Sequence, residues 1–247
     1  MSGRIMDRMD EVRPGPWRLA GSLLAAGVVV SILAGLLHAE SHDANDHSAS
    51  FTAYANSDAW TTVHLGQFFG MALVCAGLVT LWSAVDLRRG TWAWTAGIGA
   101  LAAALALAVY GVLQAIDGVA LKQAVDSWAA AAEPDKAARF ATAEGIRWLE
   151  WGMRSYQSFL LGIALILLGG AVAAGRRVSR VIGWLMALSG LAYLAQGWII
   201  GELGFAAANS LPTLVGIIAT VIWTVWLAVS AWRMKETASA GGQARPG

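Results

Sequence analysis

All four histidines of the chain, His38, His42, His47 and His64, fall in one short stretch, interleaved with Glu40, Asp43, Asp46 and Asp58. Imidazole and carboxylate are the ligands of zinc and related divalent cations. His38 and His42 are four apart, so a continued helix puts both on one face. His64 opens the next apolar segment and could close a site from a partner helix. A divalent metal held by His38, His42 and His64 is therefore one expectation, with Glu40, Asp43 and Asp46 as acidic neighbours. Solvated loop residues are the plain alternative. Haem is a third, against which it counts that no histidine sits deep in a helix. The spacing matches no fixed ligand pattern such as His-Glu-x-x-His.

A second polar set is spread along the chain. His64, Gln67 and Met71 step by three and four, and Tyr110, Gln114 and Asp117 by four and three, so each group shares one helix face. With Glu150 and Arg154 they make a candidate pocket for a lipophilic small molecule. Asp117 with Glu150 or Glu202 would supply a carboxylate pair for acid–base work. The competing reading of these charges is a helical pair laced by ion pairs. Lys122–Asp126 and Glu150–Arg154 are at i,i+4, while Asp117 falls level with Arg154, and Lys122 with Arg147, across a hairpin. No nucleophile elbow, phosphate-cradling glycine loop or dinucleotide fingerprint is present. The single cysteine, Cys75, excludes a disulfide framework and a thiolate metal cluster. Whether the polar set is catalytic stays open.

The elements that must position these residues follow from composition. Of 247 residues, 57% are hydrophobic and 13% charged, and the mean hydropathy is +0.57. Soluble domains carry roughly 25% charged residues, so this is a membrane protein whose first partner is the lipid bilayer. A net charge of +1 leaves no basic field for nucleic acid. Six stretches, 17–37, 61–84, 92–116, 155–174, 181–200 and 212–232, reach the roughly 20 apolar residues a transmembrane helix needs. The expected fold class is all-α, a polytopic membrane bundle of six transmembrane helices. The boundaries are an N-terminal segment at 1–16, the bundle at 17–232 and a tail at 233–247.

Between spans three and four, residues 117–154 carry no turn chemistry until Glu133-Pro134-Asp135 and are rich in helix formers. A protruding helical hairpin, an extracytoplasmic arm with its tip at Pro134, is expected there. Arg4, Arg8, Arg13 and Arg18, Arg88 and Arg89, Arg176, Arg177 and Arg180, and Arg233, Lys235 and Arg245 hold twelve of the seventeen basic residues, all on one side of six spans. The positive-inside rule then puts both termini in the cytoplasm. Tryptophans near span ends, among them Trp17, Trp60, Trp92, Trp94, Trp148, Trp151 and Trp232, suit an interfacial belt.

Polarity by depth bears on function. Residues 23–30, 73–81 and 96–108 contain nothing more polar than Cys75 and Thr80, whereas the polar set lies toward the side away from the basic joints. A transporter needs polar groups near the midplane and a route to both sides. The expectation is an outward-facing polar site for a lipophilic molecule or a divalent metal. The alternatives are an accessory subunit docking a partner through the arm, as a homo-oligomer or with another membrane protein, and a small-solute transporter.

Three segments carry a resemblance. Arg154-Ser-Tyr-Gln-Ser-Phe-Leu-Leu-Gly, Arg177-Val-Ser-Arg-Val-Ile-Gly-Trp-Leu and Trp223-Thr-Val-Trp-Leu-Ala-Val are similar to spans four to six of a bacterial six-helix membrane family known only as a domain of unknown function. The joint after span four lacks that family's proline. What the resemblance implies is architecture and a place in a bacterial plasma (inner) membrane, with no activity to carry over.

Overall fold

The structure is a computed structural model and describes residues 14–38, 44–85 and 90–235. Its elements are α1 (Pro14–Leu36), α2 (His47–Ala55), α3 (Trp60–Val85), α4 (Thr91–Ala115), a π-helical turn (Ile116–Leu121), α5 (Lys122–Ala129), α6 (Lys136–Gly175), α7 (Arg180–Leu203), a 3-10 turn (Ala207–Asn209) and α8 (Ser210–Arg233). Six of the helical stretches are long and apolar enough to cross a membrane. They coincide with the six expected spans to within a few residues, apart from the two whose helices run on into the arm. No strand occurs among the described residues, so the fold is a polytopic helical bundle.

The spans form a closed ring in chain order. α1 packs on α3, α3 on α4, α4 on α6, α6 on α7, α7 on α8, and α8 returns to α1. Leu105, Leu191, Ile218 and Trp94 point away from the ring, as lipid-facing side chains should. The inner faces carry small residues, because helices in lipid associate through close packing rather than hydrophobic expulsion. On α6 and α7 the backbones nearly touch: a Cβ on Gly169 would meet the Gly183 carbonyl oxygen at 2.5 Å. Side-chain hydrogen bonds reinforce that wall. Ser155 donates to the Gly197 carbonyl at 2.7 Å, and the Gln196 amide donates to Thr213 at 2.8 Å, tying α6, α7 and α8 together.

Both ends of the described chain lie at the same end of the bundle. The Arg18 guanidinium donates to the Met234 carbonyl at 2.9 Å and stacks over Trp232. At the opposite end α6, with 40 residues, is about 60 Å long, twice the roughly 30 Å hydrocarbon core. Its first half pairs with the π turn and α5 to make the protruding hairpin.

The hairpin does not stand alone. α2, which falls in the histidine-bearing stretch between spans one and two, packs on α5. Phe51, Tyr54 and Trp60 bury against Leu121, Val125 and Ala143 in a second, smaller core. Asp46, read above as a cation neighbour, instead caps α2, accepting from the Ala49 N–H at 3.0 Å. His42, Glu40, Asp43, Arg88, Arg89, the first thirteen residues and the tail from 236 lie outside the described residues.

Candidate functional site

The site begins where α4 changes its winding. Over Ile116–Leu121 the helix widens to i→i+5 bonding, a turn type often found at functional positions. Carbonyls there are taken by α3: the Trp60 indole N–H donates to the Asp117 carbonyl at 2.9 Å, and the Thr61 hydroxyl to the Gly118 carbonyl at 3.1 Å. Gly118 permits the approach, since a Cβ there would stand 2.6 Å from the His64 Cβ. The result brings the Asp117 side chain to His64.

His64 is 1% exposed. Its Nδ1 lies 2.8 Å from the Trp60 carbonyl oxygen. A carbonyl only accepts, so Nδ1 carries the proton and, in the neutral ring, Nε2 holds a lone pair. That lone pair faces the Asp117 carboxylate, 3.0 Å away at Oδ2. The contact has ion-pair distance but not hydrogen-bond alignment, and neither Nε2 nor Asp117 Oδ1 has a hydrogen-bond partner. Two acceptors held face to face call for a cation between them, either a proton or a metal. His38 lies nearby with its ring tilted to both, its centroid 5.2 Å from that of His64 and 4.9 Å from that of Trp60. One ligand atom from each of His38, His64 and Asp117 lies within 4.8 Å of the others.

This group adjoins a cavity of about 1200 Å³ to which all six spans contribute. Of the predicted ligand residues, Gln67, Tyr110, Asp117, Glu150 and Arg154 line it, whereas His64 sits behind Asp117. Gln114 is buried but is not part of the lining. His38, Tyr54 and Arg147 complete the polar end, and Val28, Val74, Leu165 and Trp223 are among the apolar walls.

The charges pair differently from the sequence expectation. Glu150 bonds Arg147, not Arg154. Lys122 pairs with Asp126 at 2.7 Å, as its spacing suggests, and also reaches the Ala55 carbonyl rather than Arg147's level. Asp117 faces His64 and forms no ion pair with Arg154 among the described residues. The reason is local. The π turn rotates Asp117 toward α3, and an i,i+3 contact within α6 brings Arg147 to Glu150 before any partner across the hairpin is reached. Arg147 also lies over the rings of Tyr54 and Phe205. Burial pushes the Tyr54 phenol up to about 12, the Arg147 guanidinium pulling the other way.

His47 takes no part in this cluster, because its Nδ1 is 3.0 Å from Glu144 on α6. Trp60 is misassigned as a belt residue. It is 1% exposed and forms the roof of the site. Its i,i+4 relation to His64 was the only sequence signal for that role. Tyr54 and Arg147 were likewise missed as cavity residues, since α2 itself was not anticipated.

Fold and site together define a class: a multi-pass helical membrane protein whose span ring encloses a cavity, polar at one end. Within that class the chain belongs to the family described as a domain of unknown function, DUF4386, which matches residues 19–230. Comparison with curated proteins and with solved structures returned no match.

Proposed function

We propose that the protein holds a divalent cation at His38, His64 and Asp117, on the polar end of a cavity that faces outward and takes a lipophilic molecule. The observation that carries this reading is the orientation of His64. A ring whose Nδ1–H is spent on a backbone carbonyl presents Nε2 as a ligand, which is the usual support of a metal-bound histidine. Two imidazoles and one carboxylate are a donor set suited to zinc, and three protein ligands leave a coordination position free for water or for a ligand in the cavity. His42, expected as a third ligand, gives way to Asp117 in this reading. The two termini share one end of the bundle; with the basic residues there taken as cytoplasmic, the site opens on the extracytoplasmic side.

The accessory-subunit alternative has less support. The face of the arm formed by Leu121, Val125 and Ala143 is already covered by α2 through Phe51 and Tyr54.

Elemental analysis of the detergent-purified protein tests the cation. About one zinc-class ion per chain is expected after mild dialysis, lost in His64→Ala and Asp117→Asn and kept in His47→Ala. Added zinc should raise thermal stability by about 2.7 kcal/mol at a hundredfold excess over Kd. Equal metal content and equal zinc response in wild type and a His38→Ala/His64→Ala variant would overturn the assignment.

A further inference from the structure

The cavity lining contains two permanent cations, and they are in different states. Arg147 is ion-paired with Glu150 and backed by aromatic rings. Arg154 forms no ion pair among the described residues. Two phenols adjoin it: Tyr110 and Tyr193 both lie close enough for a direct electrostatic interaction. A guanidinium on a membrane-spanning helix that lines a cavity by default marks a functional position. Neither cavity carboxylate reaches Arg154, since Glu150 bonds Arg147 and Asp117 lies against His64.

Depth along α6 says what an anion at Arg154 would be attached to. Arg154 is 21 residues from Gly175, about 32 Å at 1.5 Å per residue, so it sits near one boundary of a roughly 30 Å hydrocarbon core. Leu161 and Leu165, which line the same cavity, lie about 10 and 16 Å deeper by the same rise. Val28 and Ile32 of α1 and Met71 and Val74 of α3 form the facing walls. The cavity therefore runs from a cation at the interface into an apolar slot. At about 1200 Å³ it exceeds the roughly 300–1,000 Å³ of pockets for compact small molecules.

We propose that the cavity binds an amphiphile with an oxyanion head, carboxylate or phosphate, clamped by the Arg154 guanidinium, with its acyl tail laid along Leu161 and Leu165. This rests on the cavity being the ligand site proposed above, and not on the cation being present. The planar fork of arginine donates two parallel N–H bonds to either head. The hydroxyls of Tyr110 and Tyr193 give the remaining head oxygens neutral donors.

The test uses the full chain in a neutral detergent, with palmitate, hexadecyl phosphate, hexadecanol and inorganic phosphate as probes, read by native mass spectrometry and by quenching of tryptophan fluorescence with brominated acyl chains. The two charged amphiphiles should bind about ten- to a hundredfold more tightly than hexadecanol, the worth of a charged hydrogen bond. Arg154→Gln should bring them down to the hexadecanol level while leaving hexadecanol binding unchanged, and Arg154→Lys should keep part of the preference. Whichever of palmitate and hexadecyl phosphate binds tighter identifies the head as carboxylate or phosphate. If Arg154→Gln, folded by thermal melt, binds the acids like wild type, the head assignment is wrong although the cavity reading survives. Failure of every amphiphile, hexadecanol included, removes both. Competition by inorganic phosphate as strong as by hexadecyl phosphate would mean a free-anion site and overturn the amphiphile.

Discussion

Gly118→Ala probes the contact on which the whole site depends. The added methyl would stand 2.6 Å from the His64 Cβ and 3.1 Å from its Cγ, against an ordinary carbon–carbon contact of about 3.5–4.0 Å. The shortfall is about 1 Å, and the atom in the way is a Cβ fixed to the backbone of α3. No side-chain rotation relieves it, so α3 and the π turn must part. Overpacking of this kind costs about 1–3 kcal/mol. Parting the helices also stretches the Trp60 and Thr61 hydrogen bonds to the turn, each worth about 0.5–1.5 kcal/mol. Alanine's better helix propensity returns about 1 kcal/mol. The net expectation is a loss of about 2 kcal/mol together with loss of the proposed cation site. Gly145→Ala is the control, because nothing lies within 4 Å of its Cβ position on the arm; it should be neutral or slightly stabilising. Denaturant unfolding in detergent, paired with metal content, reads both variants. A Gly118→Ala protein as stable and as metal-replete as Gly145→Ala would refute the close-approach argument.

Alkaline stability and topology give two further tests. Tyr54 is neutral in the fold up to about 12 but ionises near 10 when unfolded, so the unfolded state holds fewer protons in between and stability falls as pH rises. That loss should reach about 2–3 kcal/mol across the window; a Tyr54→Phe variant should lack it, and an identical alkaline profile in the two proteins would count against burial of the phenol. Reporter fusions at Gly90 and Gly247 should give cytoplasmic signals and one at Ser50 an external signal, and an external Gly247 would reverse the orientation of the site.

The spans were legible because their signal is redundant: some twenty apolar residues in a row outvote any local exception. The hairpin was legible for the same reason, since residues 117–154 lack turn chemistry until Pro134. α2 was missed because nine residues, His47–Ala55, carry little periodicity. Asp46 three positions before Ala49 is a capping arrangement that could have announced it. Its absence from the expectation left Tyr54 without a position and the arm without its cover.

The site was legible in its residue types but not in its partnerships. Tyr110, Asp117, Glu150 and Arg154 line one cavity because residues spaced by three and four share a helix face, although Gln114 of the same face stays out of the lining. Which charge meets which depends on rotations of a fraction of a turn, and one π turn is enough to send Asp117 to His64 instead of Arg154. That same rotation leaves Arg154 without a carboxylate while giving His64 one. The π turn thus shapes both halves of the proposed chemistry: a pair of acceptors that would hold a cation, and a guanidinium that would hold an anion, on the walls of one cavity. The two halves are complementary in sign, so a ligand whose head is an oxyanion could answer Arg154 and complete the coordination of an ion at His38, His64 and Asp117 at once.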